Sequence, residues 1–466
     1  MVGRIRQLVF GRFARDTAAM QAGLVTSAVC ALGTSIILAR GLGQAEYGRY
    51  ALVFALYGLI NILGDVGLGK ASISGLAQAR GARDGAAFVG QVAYLMKMTV
   101  VLGVAVTVIG LIFASGLARL MNPELGIGPY ARVLFLTAFL GVGRGFTATL
   151  LAGMRRMRTL ATFEVAFAAL RLATVGAVIA AGFGLWGVVG AHVGTTLAVS
   201  LLGIGIYRWH ARRDEVLPPL GRLVREAVRA PWWRMFKLGA QVTLDRQLLK
   251  LIEVVPVLVL GRLAASPEPA GYFNLARNIM RNLGLVFLGI SKSLLPFFAE
   301  LKAKRQIARI RRDYKQAAII GGAVAVAVAA VCVPFLPVAL SFLYGKDWAS
   351  AAAAVAYVLL GRFVVDGCCV GLSALVVVAD KVWWSARLKL VSLPLGVGAL
   401  IGATAAGRSW LSNSLVGAAV GAAAAYAVWW IALLLVQFVG SFRVLDQLAV
   451  QETTAEIEGP QPEMEL

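Results

Sequence analysis

The chain has 466 residues, of which 59% are hydrophobic and only 15% charged, and its mean hydropathy is +0.79. Soluble domains are about 45–50% apolar and roughly 25% charged, so this composition excludes an ordinary soluble protein and describes an integral membrane protein. A net charge of +22 would suggest nucleic acid in a soluble domain. In a membrane protein Lys and Arg collect in cytoplasmic loops, so topology has to be tried first.

The N-terminus, MVGRIRQLVFGRFARD, is basic and precedes an apolar run over 17–38. That run is long enough to span a bilayer, and no A-x-A-like cleavage site follows it. It reads as the first transmembrane helix rather than a signal peptide. The segment Ser27-Ala28-Val29-Cys30 is a poor lipoprotein site, because Val directly precedes the Cys.

Further runs of spanning length lie at 50–70, 90–114, 130–152, 160–182 and 186–207. Six more follow at 238–260, 271–297, 315–338, 351–378, 387–406 and 411–436. The expected fold is therefore all-α, with twelve spans in two six-helix lobes at 1–207 and 238–440. With the N-terminus inside, the inner connections hold 28 basic residues and the outer ones 7. That asymmetry places both termini in the cytoplasm and removes any need for nucleic acid.

Residues 208–237 link the halves. Within them Leu220, Leu223, Val224, Ala227 and Val228 form one apolar face, opposite Arg222, Arg225, Glu226 and Arg229. This is the pattern of a helix lying on the inner leaflet, with Trp232 and Trp233 as interfacial anchors. Its expected role is a tether. The segment 441–466, ending in QETTAEIEGPQPEMEL, reads as an acidic disordered tail.

The halves resemble each other. EYGRYAL at 46–52 is echoed by EPAGYFNL at 268–275, Lys70 by Lys292, and Gly143-Arg144 in the fourth span by Gly361-Arg362 in the tenth. Parallel repeats of this kind, in transporters, hold substrate near the midplane.

Ten basic residues remain at membrane depth: Lys70, Lys97, Arg144, Arg171, Arg246, Lys250, Arg277, Arg281, Lys292 and Arg362. Five acids accompany them: Asp65, Glu164, Asp245, Glu253 and Asp366. Lys70 and Lys292 are placed to snorkel to the surface. Spacing allows Arg362 to meet Asp366 at i,i+4 and Lys250 to meet Glu253 at i,i+3, and sets Glu164 two turns from Arg171. Lys97, Arg144, Arg277 and Arg281 have no acid within reach on their own helix. One reading pairs these four across helices for structure alone. Against it, complete pairing still leaves an excess of about five cations, which hydrocarbon does not tolerate. A hydrated site for an anion accounts for them, and arginine's planar fork suits phosphate.

Two glycine-rich segments need sorting. GDVGLGKA at 64–71 fits a phosphate loop except that Ala71 replaces the Ser or Thr that would hold magnesium, and it closes a membrane helix instead of following a strand. GVGRG at 141–145 is read as a close-packing site, not a dinucleotide fingerprint. Cys30, Cys332, Cys368 and Cys369 form no CxxC pair, so no zinc or disulfide framework is expected. With His192 and His210 the only histidines, no metal site, catalytic triad or cofactor is expected either. His192 reads as a satisfied buried side chain.

GLGQAEYG at 41–48, followed by an apolar helix and GDVGLG at 64–69, resembles the opening of bacterial oligosaccharide flippases. These belong to the multidrug/oligosaccharidyl-lipid/polysaccharide exporter superfamily. EPAGYFNLAR at 268–277, Pro296, and FLYGKDW at 342–348 add to the resemblance, which covers about 23–439. It implies two lobes around a central cleft, opening alternately to the two sides of the bacterial inner membrane. The cargo it implies is undecaprenyl-diphosphate-linked oligosaccharide, with membrane lipids and a polysaccharide polymerase or assembly machinery as partners. Cleft positions in such proteins come from spans 1, 2, 7 and 8, here Asp65, Asp245, Arg246, Lys250, Glu253, Arg277 and Arg281. Relatives that flip the peptidoglycan precursor carry two further helices, and twelve are found here.

The candidate anion-binding residues are thus Arg277, Arg281, Arg246, Lys250, Arg144, Arg362 and Lys97. Asp65, Asp245, Glu253 and Glu164 are candidates for ion coupling, against the plainer role of neutralising neighbours. Competing functions are export of drugs or metabolites on the same fold, and a membrane glycosyltransferase or polymerase. Cationic drugs call for buried acid, the reverse of what is found. A glycosyltransferase or polymerase needs a sizeable extramembrane loop or an exposed catalytic pair.

The topology is testable directly. Reporter fusions after Arg119, Ser266 and Lys346 should report the outer side, and fusions after Arg156, Arg222 and Arg305 the cytoplasm. Two reversals would overturn it.

Overall fold

The computed structural model describes residues 12–64, 68–214, 216–230, 236–303, 306–410 and 413–458. Asp65, Trp232 and Trp233 lie outside these residues, as do the side chains of Lys70 and Lys292. Among the described residues the structure is helical throughout, with no strand.

The described residues form sixteen α-helices: α1 Arg12–Asn61, α2 Leu68–Gly81, α3 Gly85–Met121, α4 Gly128–Leu140, α5 Val142–Gly153, α6 Met157–Ala180, α7 Gly184–Ala211 and α8 Leu220–Arg229. Then come α9 Phe236–Leu263, α10 Glu268–Leu283, α11 Leu288–Ala303, α12 Ile307–Tyr344, α13 Lys346–Cys368, α14 Leu372–Val378, α15 Val382–Trp410 and α16 Ser414–Glu458. Among the described residues, helix occupies most of each apolar run expected to span. By length and apolarity alone, eight of the described helices qualify as spans, or nine if the bent pair α4–α5 counts as one. α9 and α10–α11 fall short of that test: α9 holds Asp245, Arg246, Lys250 and Glu253, and α10 holds Arg277 and Arg281.

The first expected run and the start of the second, to Asn61, lie in one helical element. α1 has 50 residues, broken only at Gly43, where φ is 72° and ψ 177°. At about 1.5 Å rise per residue it is far longer than a bilayer core of about 30 Å. Gly43 supplies the left-handed turn that an L side chain resists. At the other end of the chain, helix replaces the irregular backbone expected from 441: α16 runs on to Glu458. The reason is local. FRVLDQLAVQETTAEIE is rich in helix formers and meets its first breakers at Gly459-Pro460.

The chain forms two compact units. The first comprises Met1–Arg262 with Ser266–Gly271, the second Leu263–Ala265 with Tyr272–Leu466. In the first, α1 packs along α6, α3 on α4, and α7 on α4, α5 and α6. In the second, α15 lies on α16, α12 on α13, and α13 on α16.

Ion pairs gather the connections that the charge count assigned to one side. In the first unit Asp214, just beyond α7, accepts from Arg156 at 3.3 Å and lies 3.6 Å from Arg80. Three connections, α2–α3, α5–α6 and α7–α8, therefore share one carboxylate. In the second unit Lys302, at the end of α11, donates to Asp380 and to the Val378 carbonyl, 2.5 and 2.7 Å away, at the end of α14. Arg408, at the end of α15, donates to the Leu263 carbonyl at 2.5 Å, at the end of α9. Alternating connections thus meet where a regular up-and-down order requires.

α8 is amphipathic as its sequence indicates. Leu223 and Ala227 are buried in a cluster with Leu76, Phe88, Val92, Phe146 and Tyr207. Val224 and Val228 are exposed, as are Arg222, Arg225 and Arg229. The helix is docked on the first unit rather than loosely tethered.

The echoed glycine motifs touch. A Cβ on Gly48 would meet the Pro267 carbonyl oxygen at 2.1 Å, and one on Gly271 would meet the Gly48 Cα at 3.3 Å. Two backbones approach so closely there that no side chain fits. Gly48→Ala should lower the detergent-solubilised melting temperature by several degrees, because the obstacle is backbone that cannot swing aside. Gly69→Ala, where a Cβ meets nothing within 4 Å, serves as the control; equal melting temperatures in the two variants would refute this packing.

Candidate functional site

Seven cations are candidates for an anion site, and the structure separates them by what each already touches. Lys97 of α3 is committed. Its ammonium donates to the carbonyls of Val228 and Ala230 at 3.1 and 2.7 Å. These are the carbonyls that a helix leaves unpaired at its C-terminus, where a cation is favoured. Lys97 fastens α8 to the first unit.

Arg362 of α13 is also committed. It lies 3.4 Å from Asp366, the partner its spacing suggests, donates to the Tyr426 hydroxyl at 2.5 Å, and stacks 3.9 Å from the Trp430 ring centre. Its Nε is near Asp366 without being aligned for a hydrogen bond. Trp430 completes the network by donating to Asp366 at 2.7 Å. The Arg362 side chain is 14% exposed, so charge, rings and hydroxyl form one closed assembly on α13 and α16.

Arg144 of α5 holds the corresponding position in the first unit, and is only partly occupied. One Nη donates to Glu164 of α6 at 3.5 Å, and the guanidinium lies 4.1 Å from the Phe167 ring centre. Its Nε is buried with no partner among the described residues. Glu164 thus pairs with Arg144 across helices, while Arg171, two turns along α6, has its own Nε without a hydrogen bond.

The remaining candidates lie on α9 and α10. On α9, Arg246 and Lys250 are exposed while Asp245 and Glu253 are half-buried, and Lys250 and both acids take part in further interactions. On α10, residues 270–276 are buried and exposure begins at Arg277. Arg277 donates to Asn274 at 2.8 Å and makes further contacts, whereas Arg281, one turn on, is exposed with no ion pair among the described residues. The chain thus presents two guanidiniums one turn apart, at the point where α10 leaves its packed environment.

His192 is buried as expected but only half satisfied. Nδ1 is 2.9 Å from the Val188 carbonyl and the ring lies edge-on to Phe54 at 4.7 Å, while Nε2 has no hydrogen-bond partner among the described residues. Among the described residues no group of three His, Cys, Asp or Glu side chains could hold a metal ion.

One feature escaped residue-type reasoning. A cavity of about 460 Å³ lies within the first unit, lined in part by Asn61, Gly64, Gly69, Thr99, Gly141 and Arg144. Gly64 and Gly69 of one glycine-rich segment and Gly141 and Gly145 of the other are among its lining residues; the sequence marked both segments as unusual without indicating a cavity.

Known structures carry the same fold. An inward-facing multidrug resistance MATE family transporter of the MOP superfamily matches with a TM-score of 0.71 at 18% identity, covering 92% of this chain and 96% of that one. A MATE protein in complex with MaL6 matches with a TM-score of 0.66 at 22% identity, over 93% and 96%. A MOP superfamily transporter from Pyrococcus furiosus, described as having a binding pocket of reverse polarity, matches with a TM-score of 0.61 at 19% identity, over 93% and 95%. No curated protein sequence matches the chain. The model of the family described as "Polysaccharide biosynthesis protein" matches residues 13–302. The solved structures share its fold, and the family model covers more than half of the length: the chain belongs to the polysaccharide biosynthesis protein family.

Proposed function

We propose that the protein is a flippase for lipid-linked oligosaccharide, moving an undecaprenyl-diphosphate-linked glycan from the inner to the outer leaflet of the bacterial inner membrane. The observation that carries this reading is the α10 pair. Arg281 is exposed without an ion pair among the described residues, and Arg277 lies one turn before it. An uncompensated guanidinium on a membrane helix needs water or an anion, and a diphosphate supplies two phosphoryl groups for two arginines. The fork geometry of each favours bidentate contact. Arg246 is the further candidate on α9. The glycan travels in a hydrated path while the prenyl tail stays in lipid, and both termini are cytoplasmic by loop charge. Family membership in polysaccharide biosynthesis supports this cargo over others.

Export of drugs is the second reading, favoured by the MATE structures on the same fold. The sign of the charge separates the two. A cationic drug needs buried acid to replace its hydration, and the membrane-depth residues here are predominantly basic.

Arg277→Ala and Arg281→Ala should each abolish surface-glycan export while membrane abundance and melting temperature stay near wild type. Lys at either position should rescue in part, since an ammonium keeps the charge and loses the fork. Arg362→Ala should behave oppositely, because removing one member of a largely buried pair costs about 3 kcal/mol or more, so folded protein is lost. Full export in both α10 variants refutes the assignment. Drug sensitivity on deletion, with glycan export intact, establishes the second reading.

Asp245 and Glu253 on α9, Glu164 on α6, and Asp65 are proposed to carry a coupling ion. In proteoliposomes, export should respond to an imposed proton or sodium gradient. Indifference to both gradients removes the proposal and leaves these acids as neutralisers.

A further inference from the structure

A cavity of about 220 Å³ lies in the first unit where α3 ends and the chain turns into α4. Ser115 and Arg119 line it from one face of α3, at i,i+4, and Gly128 and Arg132 line it from one face of α4 at the same spacing. Side chains on a helix lean toward its N-terminus, so Arg132 leans over the first turn of α4. Arg119 and Arg132 are exposed, and neither makes an ion pair or hydrogen bond among the described residues. The Ser115 hydroxyl is likewise without a hydrogen bond among them. Glu124, the acid closest in sequence, is exposed and does not line the cavity.

Main chain lines the same volume. Gly126 is left-handed, with φ 61° and ψ 24°, and Ile127 right-handed, with φ −79° and ψ −12°. Successive residues of opposite hand turn their amides to one side, forming a nest that suits an anion. The amides of Gly126, Ile127 and Gly128 give no hydrogen bond among the described residues, and all three residues line the cavity. No side chain caps α4 in their place. Two unpaired guanidiniums, a hydroxyl and three unspent amides thus share one small volume.

The surroundings indicate which anion. α3 is long and apolar enough to span a membrane, and Ile112, Phe113 and Leu120 are exposed near this end. Tyr130 of α4 stacks on Trp186 of α7 with 4.3 Å between ring centres, and Trp186 is exposed. Exposed rings beside an apolar helix surface belong at headgroup depth. The loop charges put this end on the side poor in basic residues, where Arg119 and Arg132 are two of only 7. A volume of about 220 Å³ is below the roughly 300–1,000 Å³ of sites for drug-sized ligands. It suits one phosphate group and is too small for a glycan.

We propose that this pocket binds the phosphodiester of an anionic phospholipid headgroup in the leaflet facing away from the cytoplasm. Arginine forks hold its oxygens from the two helices, and the nest holds them from the turn. Nothing in the site depends on the cargo carried.

The test is titration of the purified full-length protein in detergent with short-chain phosphatidylglycerol. Binding is read by native mass spectrometry and by the rise in melting temperature that a ligand of the folded state produces. Arg119→Gln and Arg132→Gln should each weaken binding by about tenfold, because each removes a charge-assisted contact. Lys at either position should weaken it less, and covers the case in which a glutamine variant misfolds. Without lipid, all four variants should melt near wild type. Lys346→Gln, which removes an exposed charge assigned to the same side in the second unit, should leave affinity unchanged. Gly126→Asn, which tolerates the left-handed conformation, should keep binding, and Gly126→Val should weaken it. Affinity unchanged in both glutamine variants, an equal loss in Lys346→Gln, or no detectable binding overturns the site. Inorganic phosphate binding as tightly as the lipid overturns the headgroup as its occupant.

Discussion

The constraint on which this molecule turns is the cost of positive charge in hydrocarbon. A helix that carries a guanidinium at membrane depth must give it a carboxylate, a carbonyl, a ring face or water. The described cations show several of these solutions. Lys97 takes the orphan carbonyls at the end of α8, Arg362 takes Asp366 and the rings of Tyr426 and Trp430, and Arg144 takes a single oxygen of Glu164 with Phe167 beneath it. Arg281, exposed on α10 with no ion pair among the described residues, calls for the last solution, water or an anion.

The same accounting at the helix ends sets the order of the chain. Asp214 binds arginines from two other connections, and Lys302 reaches the end of α14 from the end of α11. These pairs are partly exposed, and isolated pairs of that kind are worth little in stability. Their value lies in registering which helix ends share a side, because the wrong order would strand a carboxylate among apolar residues. α8 is registered likewise, by Leu223 and Ala227 in the core and by Lys97 at its end.

Much of this was legible in the residues. Apolar run length located the helices, since 3.6-residue periodicity and bilayer thickness leave few alternatives. The i,i+4 spacing of Arg362 and Asp366 announced their contact. Amphipathicity located α8, although the docking role of Lys97 was not visible, because its partners are main-chain carbonyls more than 130 positions away. Glu164 was expected near Arg171 along its own helix, yet it pairs with Arg144 on a neighbouring one. Spacing along one helix carries no information about what packs against it. The kink at Gly43 and the backbone contact at Gly48 were hidden for a related reason. A glycine's role depends on the dihedral angle or neighbour it meets, and one chain's sequence shows neither.

The glycine segments make the same point in the other direction. Each was recognisable as unusual, and each was rejected for nucleotide binding on sound grounds: no strand precedes 64–71, and Ala71 cannot hold magnesium. The rejected feature was the ligand, while the physical content of the pattern survived. Glycines permit close approach, as at Gly64 against Val106 and at Gly141 against the Thr137 carbonyl, and both segments contribute residues to the lining of one cavity together with Arg144. The two units resemble each other in sequence at Arg144 and Arg362, and the second surrounds its arginine more fully, with a carboxylate, a hydroxyl and two rings against one carboxylate and one ring. The same dipeptide is packed to different degrees in the two units, a difference set by the side chains that neighbouring helices supply: Glu164 and Phe167 from α6 in the first, Tyr426 and Trp430 from α16 in the second.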